Sequence, residues 1–288
     1  MTPNPLAKSR RLSRALVDLR DKAGYGQTEL ARRSGVKPSV ISRLESPGEP
    51  GRRPNILFVR KLLDALDVPR GSAEFVQIEQ FAEAAADRRW WDEPRFARMG
   101  EGQKTFALVE LGATGIDEYA AGLLPGLVQT AAYARHRILA GHGDDVVAAV
   151  AGRLGRQQQL ATQGTTYRLV LEEQAVRRYP VPPGVMLDQL RHLLALADEP
   201  GYSVRVVPVD AKLGDGPAPR APFAQMAYPG DDPSIVIVDG VTDPHLVTSV
   251  DEVAEYAQLH QRLREAALSD KDSVAFIKQV AKSLAAAT

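Results

Sequence analysis

The chain contains no cysteine. This absence excludes disulfides, thiolate nucleophiles and cysteine-based zinc or iron-sulfur sites, and it fits a reducing compartment. No apolar run approaches the roughly 18 residues that a membrane-spanning helix needs. The first residues, MTPNPLAKSRR, contain no hydrophobic signal region. We therefore expect a cytoplasmic protein that does not enter a membrane.

Signatures of catalysis and of cofactor binding are also missing. Gly214 and Gly216 lie in GDGPAP, which lacks both the Walker lysine and the third glycine of a dinucleotide-binding loop. There is no GxSxG motif, and adjacent acidic residues, as in the pair Glu172 and Glu173, point different ways on regular structure. No HExxH or other ligand spacing occurs among the five histidines, which are His136, His142, His192, His245 and His260. We expect neither an enzyme nor a bound cofactor or metal.

Charge is balanced overall but divided along the chain. The 36 basic and 36 acidic side chains give a formal charge of zero. Residues 1–72 contain 15 Lys and Arg against 7 Asp and Glu, a net charge of +8, so the remainder carries −8. Affinity for duplex DNA comes largely from neutralised phosphates. The charge division therefore predicts that any DNA contacts lie in the first 72 residues.

The most specific pattern occupies residues 27–45, QTELARRSGVKPSVISRLE. It has the residue types, at the required offsets, for two short helices that pack across a tight turn. Ala31 allows the helices to approach closely, and Gly35 supplies the positive φ that ends the first of them. The buried apolar positions would be Leu30, Val36, Ile41 and Leu44. The pattern predicts a helix-turn-helix.

The start of the second helix has further support. Pro38 falls at the first helical position, where its fixed φ suits the helix and its missing N–H has no intrahelical partner to lose. Val36 and Ile41 have the spacing of a hydrophobic staple. Lys37 occupies the N-cap position, where Ser or Thr would cap better.

Several side chains of this segment are candidates for contact with double-stranded DNA. In helix-turn-helix docking the second helix enters the major groove and the first crosses the phosphate backbone. Arg43 can donate two hydrogen bonds to guanine, and Ser39 and Ser42 can contact phosphates or base edges. Gln27 and Thr28 are better suited to phosphates. The candidate site comprises Gln27, Thr28, Lys37, Pro38, Ser39, Ser42, Arg43, Arg52 and Arg53. The alternative is that Arg43 and Gln27 are ordinary solvated residues.

This stretch resembles the helix-turn-helix of the xenobiotic-response-element (XRE) family, whose members are relatives of the phage repressors. The resemblance implies an all-α domain of five short helices and a regulator of the repressor type. On that template we expect helices at residues 12–22, 27–34, 38–45 and 56–66, with Asn55 as an N-cap, and a fifth helix within residues 71–90. The loop SPGEPGRRP is longer than usual for the family. Arg52 and Arg53 are therefore either extra contacts to the DNA backbone or loop charges without a role in binding.

The rest of the chain mixes helical and extended patterns. We predict a helix-turn-helix domain at residues 1–85, a linker at 86–105 and a mixed α/β (α+β) domain at 106–288. The adjacent Trp90 and Trp91 cannot share a helix face, so we expect one to pack on each domain, or alternatively a tryptophan wall for a ligand. Extended segments are expected at residues 106–113, near Tyr119, and at 167–171, 202–209, 223–228 and 234–239. Helices are expected at 125–139, 146–160, 185–197, 250–267 and 270–285.

Phrases in this second part resemble the C-terminal domain of a large bacterial family of regulators that carry the same motif. They are LLPGLVQTAAYAR, RLGRQQQL and the run from EEQAVRRY to YSVRVVPV. The resemblance implies regulation, often with a small partner protein encoded alongside in an antitoxin-like arrangement; the domain itself has no settled biochemical role. Leu124, Pro125, Gly126, Gln129 and Thr130 match one recurrent phrase and shape either a pocket or a turn.

Two hypotheses follow. The first is a sequence-specific transcriptional regulator that binds DNA as a homodimer and whose C-terminal domain senses a small-molecule effector or a protein. The second is an antitoxin-like interaction protein whose acidic C-terminal domain captures a small partner protein and whose DNA binding autoregulates their promoter. Both assign DNA binding to the first domain.

Overall fold

The computed structural model describes residues 4–46, 53–87, 89–140, 145–214, 216, 218–240 and 243–287. The chain divides into two compact units, residues 1–90 and 91–288. In the described ranges, no helix is both long enough and apolar enough to cross a bilayer.

The described residues of the first unit form five α-helices. They are α1 (Pro5–Lys22), α2 (Gln27–Ser34), α3 (Pro38–Glu45), α4 (Ile56–Ala65) and α5 (Ala73–Ala86). α1 begins seven residues before the predicted start because Asn4 caps it and Pro5 occupies its first turn; the Asn4 side chain accepts a hydrogen bond from the Ala7 amide at 2.8 Å. The predictions for α2, α3 and the start of α4 are confirmed.

The core of this unit contains the apolar residues of the predicted motif. Leu30, Val36 and Ile41 are buried in one cluster, together with residues of α1, α4 and α5. Ala31 and Leu44 are partly buried and pack against the same cluster. Helices of eight residues, such as α2 and α3, are not stable alone. They depend on packing in this cluster, where removal of apolar surface from water is the main stabilising force.

The second unit has seven helices and six strands in its described residues. The helices are α6 (Glu101–Glu110), α7 (Ala131–Ala140), α8 (Val146–Gln163), α9 (Glu173–Arg177), α10 (Pro183–Ala197), α11 (Val250–Ala266) and α12 (Asp270–Ala287). The strands are β1 (Gly115–Ala120), β2 (Thr166–Glu172), β3 (Tyr202–Val207), β4 (Phe223–Ala227), β5 (Ile235–Val238) and β6 (His245–Val247).

The strands form one mixed sheet in the order β3-β2-β1-β4-β5-β6. β1, β2 and β3 are parallel, whereas β4, β5 and β6 are joined by antiparallel pairing to β1 and to one another. α11 packs across one face, where Tyr119, Val170 and Phe223 lie in the same buried cluster as Leu263. Side chains alternate along a strand, so Glu118 points to the opposite face. The predicted fold class, an all-α helix-turn-helix domain and a larger α+β domain, is confirmed.

Several local predictions for this unit were wrong. Residues 106–113 were expected to be extended, but α6 runs to Glu110 and a turn follows. A short apolar run does not distinguish a strand from a buried helix, and here Ala107, Leu108 and Val109 are all buried as helical residues. The helix expected at 125–139 is a 3-10 turn at Gly126–Val128 followed by α7. The short elements α9 and β6 were not predicted.

The segment expected to be a linker, residues 86–105, contains ordered structure. It includes 3-10 turns at Trp90–Asp92 and Pro94–Phe96 and the first half of α6. Trp91, Phe96 and Met99 are buried. Met99 packs against Gly152 of α8, where a Cβ would lie only 2.8 Å from the Met99 Cβ.

Candidate DNA-binding surface

The turn between α2 and α3 has the geometry that the motif predicted. Gly35 adopts φ +67° and donates its amide to the Ala31 carbonyl at 2.9 Å, which closes the end of α2. Ser34 reinforces the turn: its Oγ donates to the Leu30 carbonyl at 2.7 Å and accepts from the Val36 amide at 3.2 Å. These bonds fix the direction in which the chain enters α3.

The starts of α2 and α3 differ from those of the other helices in this unit. α1, α4 and α5 are capped by Asn4, Asn55 and Ser72, each of which accepts a hydrogen bond from a first-turn amide. Gly26 and Lys37, which precede α2 and α3, make no side-chain cap bond. The first-turn amides of α2 therefore have no side-chain acceptor, and such helix ends favour phosphate oxygens. In α3, Pro38 has no amide hydrogen and the Val40 amide donates to the Lys37 carbonyl at 2.9 Å, so the Ser39 amide is the first-turn donor that is left.

The outer face of α3 is exposed. The exposed candidates are Thr28, Lys37, Pro38, Ser39, Ser42 and Arg43. The Nε of Arg43 donates to the Ser39 carbonyl at 2.8 Å, one turn earlier in the helix. This bond directs the guanidinium along the outer face toward the start of α3. The two terminal nitrogens of Arg43 make no hydrogen bond or ion pair to any residue in the described part of the chain.

Gln27 lies in a different environment from the other candidates. It is half-buried, and its Nε2 donates to the Glu45 carboxylate at 2.8 Å. Glu45, the last residue of α3, also accepts a hydrogen bond from the Arg20 Nε at 2.7 Å, and its carbonyl accepts one from the Ser13 hydroxyl. The Gln27 amide therefore ties α2 to α3, and its phosphate contact stays a prediction.

The buried carboxylate of Glu45 was not identified from the sequence. Its side chain is 4% exposed, and hydrogen bonds from α1 and α2 satisfy it. The hydrogen bond to Glu45 is the main factor that raises the pKa of Arg20. The one available signal was an acidic residue at the end of an apolar helix in a strongly basic segment. The role of Glu45 is to hold α3 in position.

Ion pairing separates two groups of basic residues in this unit. The paired residues are Arg20, Arg32, Arg33, Arg60 and Arg70, whose partners are Glu45, Glu29, Asp67, Glu79 and Asp64 respectively. Lys37 and Arg43 form no ion pair with the residues described. Positive charge on the exposed face of α3 is therefore not neutralised within that part of the protein.

The loop before α4 contains the last two candidates. Arg52 lies outside the described residues. Arg53 is exposed and lies two residues before Asn55, the N-cap of α4.

The first unit is basic and helical, contains the turn at Gly35 and exposes the outer face of α3. These features define a helix-turn-helix DNA-binding protein, a class that regulates transcription. A family model for a helix-turn-helix domain matches residues 11–75. A second model, for a domain of unknown function (DUF5753), matches residues 103–279, which is more than half of the chain. The chain belongs to this DUF5753 family. No curated protein matches the chain significantly.

Proposed function

We propose that this protein is a sequence-specific transcriptional regulator of the XRE type. In this proposal α3 enters the major groove, Arg43 contacts a guanine, and Ser39 and Ser42 contact phosphates or base edges. The observation that carries the proposal is the exposed Arg43 guanidinium, which forms no ion pair with the described residues, on a helix that Glu45 holds in position. A preorganised arginine of this kind loses less side-chain freedom on binding.

Phosphate contacts would come from the helix starts. The uncapped first-turn amides of α2 and the Ser39 amide of α3 offer hydrogen bonds to phosphate oxygens, and Thr28 and Lys37 lie beside them. Lys37 adds a charge that is independent of base sequence. These groups would set the register in which α3 meets the base pairs.

The proposed active form is a homodimer on a pseudo-palindromic operator. Helix-turn-helix proteins commonly bind two half-sites about 34 Å apart, one turn of the duplex, so that protein and DNA share a two-fold axis. The second unit would sense a signal and change how the two basic units are spaced. The proposal assigns no catalytic step to the chain.

The direct test is selection of preferred sequences from a library of random duplexes with the full chain. We expect enrichment of one motif with two related half-sites, and a protein-to-DNA ratio of two on the selected duplex. A library that binds but is not enriched would contradict sequence-specific recognition. Enrichment of a single half-site with one bound protein would contradict the dimer alone.

A second candidate is supported by the charge of the remaining chain. Residues 73–288 carry a net charge of −8, which favours the capture of a basic partner. On this antitoxin-like hypothesis a small partner protein, encoded beside the regulator, binds the second unit, and DNA binding autoregulates the shared promoter. Co-expression with the adjacent small reading frame should yield a stoichiometric complex, and two proteins that purify separately would contradict it.

A further inference from the structure

The second unit contains a cavity of about 880 Å³ beside the sheet. Its walls include the end of β1, the loop at residues 122–126, the first residues of β4 and parts of α6, α7 and α8. It therefore lies beyond the carboxyl end of β1. The parallel strands β2 and β3 lie on one side of β1, and β4, β5 and β6 lie on the other. This is the usual place for ligands in sheets with parallel strands. The volume is that of a metabolite pocket.

Two arginines that line this cavity, Arg153 and Arg137, form no ion pair with the described residues. Arg153 of α8 donates from Nη1 to the Gln129 side chain at 2.7 Å, whereas its Nε is fully shielded from solvent and has no hydrogen-bond partner among the residues that the structure describes. Arg137 of α7 also lines the cavity. Within the described ranges, neither guanidinium has a carboxylate within 4 Å.

Arg156, three residues after Arg153 on the same helix, provides the contrast. It is buried, and both its Nε and Nη2 donate to the carboxylate of Glu110, whose side chain is 1% exposed. The charge of Arg156 is therefore neutralised inside the protein. The charge of Arg153 is not, although both side chains line the same cavity.

Arg153 is a desolvated cation that forms no direct ion pair with the described residues. Burial, together with the nearby charges of Arg156 and Arg137, lowers the pKa of Arg153 to about 10, and the nearby carboxylate of Asp239 offsets this only in part. The side chain is still charged at neutral pH. Desolvation of a cation that is in direct contact with no carboxylate of the described residues is unfavourable, and a bound anion would relieve that cost.

The loop after β1 holds Arg153 in place. Gly126 lies so close to the arginines that a Cβ there would be 3.2 Å from the Arg156 Nη1 and 3.3 Å from the Arg153 Nε. Gln129 donates to the Leu124 carbonyl at 2.6 Å while its Oε1 accepts from Arg153. The Gln157 side chain bonds to the carbonyls of Gly126 and Gln129. The recurrent phrase at residues 124–130 thus shapes a cavity wall and orients an arginine.

Other parts of the lining limit the chemistry of a ligand. Phe106, Ile138 and Ile237 contribute apolar surface. Asp239 and Asp243 are exposed carboxylates that can accept hydrogen bonds. A ligand that suits both the arginines and the carboxylates of the lining has an anionic group at one end and N–H or O–H donors elsewhere.

We infer that this cavity binds a small organic anion, whose carboxylate or phosphate group is held by Arg153 and Arg137. Planar guanidinium groups bind both anions through paired, charge-assisted hydrogen bonds. Such an anion would be the signal that the second unit senses, so its effect on DNA affinity rests on the proposed function. Binding itself involves only the second unit and can be measured without DNA.

The test measures the thermal stability of the full chain without DNA, with inorganic phosphate and with succinate as probes. Sodium chloride at matched ionic strength serves as the reference. We expect a saturable rise in melting temperature with at least one probe, because a ligand that binds only the folded state stabilises it. The probe that saturates identifies the anionic group. Failure of both probes at concentrations far above the millimolar range would overturn the inference.

Variants separate a binding arginine from a structural one. Arg153→Gln should weaken binding of the active probe about 10- to 100-fold, while the melting temperature without anion stays equal to or above that of the wild type. Arg137→Gln should weaken binding in the same direction. Arg135→Gln is the matched control, since Arg135 is exposed on the same helix and does not line the cavity.

Two results with these variants would overturn the inference. The first is an Arg153→Gln protein that unfolds or melts lower, because the arginine would then be structural. The second is an equal loss of binding in Arg135→Gln, because the effect would then be general charge screening. If the anion binds as expected but does not change DNA affinity, the cavity stands as a binding site and the proposed sensing role fails.

Discussion

Arg20 of α1 and Glu45 of α3 form an ion pair in which the Arg20 Nε lies 2.7 Å from a carboxylate oxygen that is almost fully buried. The other carboxylate oxygen accepts a hydrogen bond from Gln27 of α2. One acidic side chain therefore joins three helices behind the surface proposed to contact DNA. Side chains that hold the inner side of a helix in place determine how accurately its outer face is positioned for contact with DNA.

Replacement of Glu45 tests this role. Glu45→Ala should lower the stability of the first unit by about 1 to 3 kcal/mol, because it leaves the half-buried donors of Arg20 and Gln27 without their acceptor. Hydrogen exchange of residues 5–45, followed by mass spectrometry, would detect the change in that unit alone. Glu29→Ala is the control: Glu29 pairs with the exposed Arg32, and such pairs contribute little. Equal effects of the two changes would contradict the assigned role.

Arg43→Ala tests the proposed base contact. On the selected operator the change should cost about 1 to 3 kcal/mol of binding free energy and relax the preference at one base pair. Binding to random duplex should change much less. Titrations of both duplexes at fixed salt would measure this. Arg70→Ala, which removes an exposed arginine already paired with Asp64, should behave like the wild type. Equal losses on operator and random duplex would show that Arg43 contacts only phosphate.

Lys37→Ala should have the opposite signature. Its charge is exposed beside the first turn of α3, where it would neutralise a phosphate irrespective of base sequence. We expect a similar loss of affinity on all duplexes and a salt dependence whose logarithmic slope falls by about one. Titrations at several salt concentrations would give this slope. A loss confined to the operator would assign Lys37 to base recognition instead.

Glu118 predicts a dependence of stability on pH. Burial raises the pKa of its carboxyl from 4.5 to about 7, partly offset by a hydrogen bond from the Tyr167 hydroxyl. A carboxyl with a raised pKa supports folding while protonated, so this contribution is present below about pH 4.5 and is lost as the pH rises through about 7. Glu118→Gln keeps a neutral acceptor and should stabilise the protein at pH 8 by an amount on the order of 3 kcal/mol, with little effect at pH 4.5.

Thermal unfolding of wild type and Glu118→Gln at the two pH values would measure this difference. Glu172→Gln is a useful comparison, because Glu172 also accepts a hydrogen bond from a tyrosine hydroxyl, that of Tyr119. A gain from Glu118→Gln that is the same at both pH values would mean that the carboxyl does not titrate in this range.

The features predicted from the sequence are those that depend on short-range spacing. The turn at Gly35, the exposed face of α3 and the amphipathic helices of the second unit all follow from offsets of a few residues. The contacts that were missed join distant residues: Arg20 and Glu45 are 25 positions apart, and Glu110 and Arg156 are 46 apart. The sequence left open whether residues 124–130 shape a pocket or a turn for the same reason, since the residues that line the cavity extend from Met99 to Pro244. Residues 106–113 were misassigned because their apolar composition suits a strand or a buried helix equally.

The two cavity arginines of α8 predict opposite responses to the same substitution. Arg156→Gln removes the partner of the buried Glu110 carboxylate, and breaking a buried ion pair in this way typically costs about 3 to 5 kcal/mol. Arg153→Gln removes a cation that forms no ion pair with the described residues, so no direct pair is broken, and Asp239 loses only a weaker, more distant attraction. Chemical denaturation of the two variants, three residues apart on one helix, would compare these effects directly in the absence of any anion. We expect a large loss for Arg156→Gln and none for Arg153→Gln. Equal losses would mean that Arg153 stabilises the fold through contacts other than ion pairs, and its charge would then give no reason to expect an anion in the cavity.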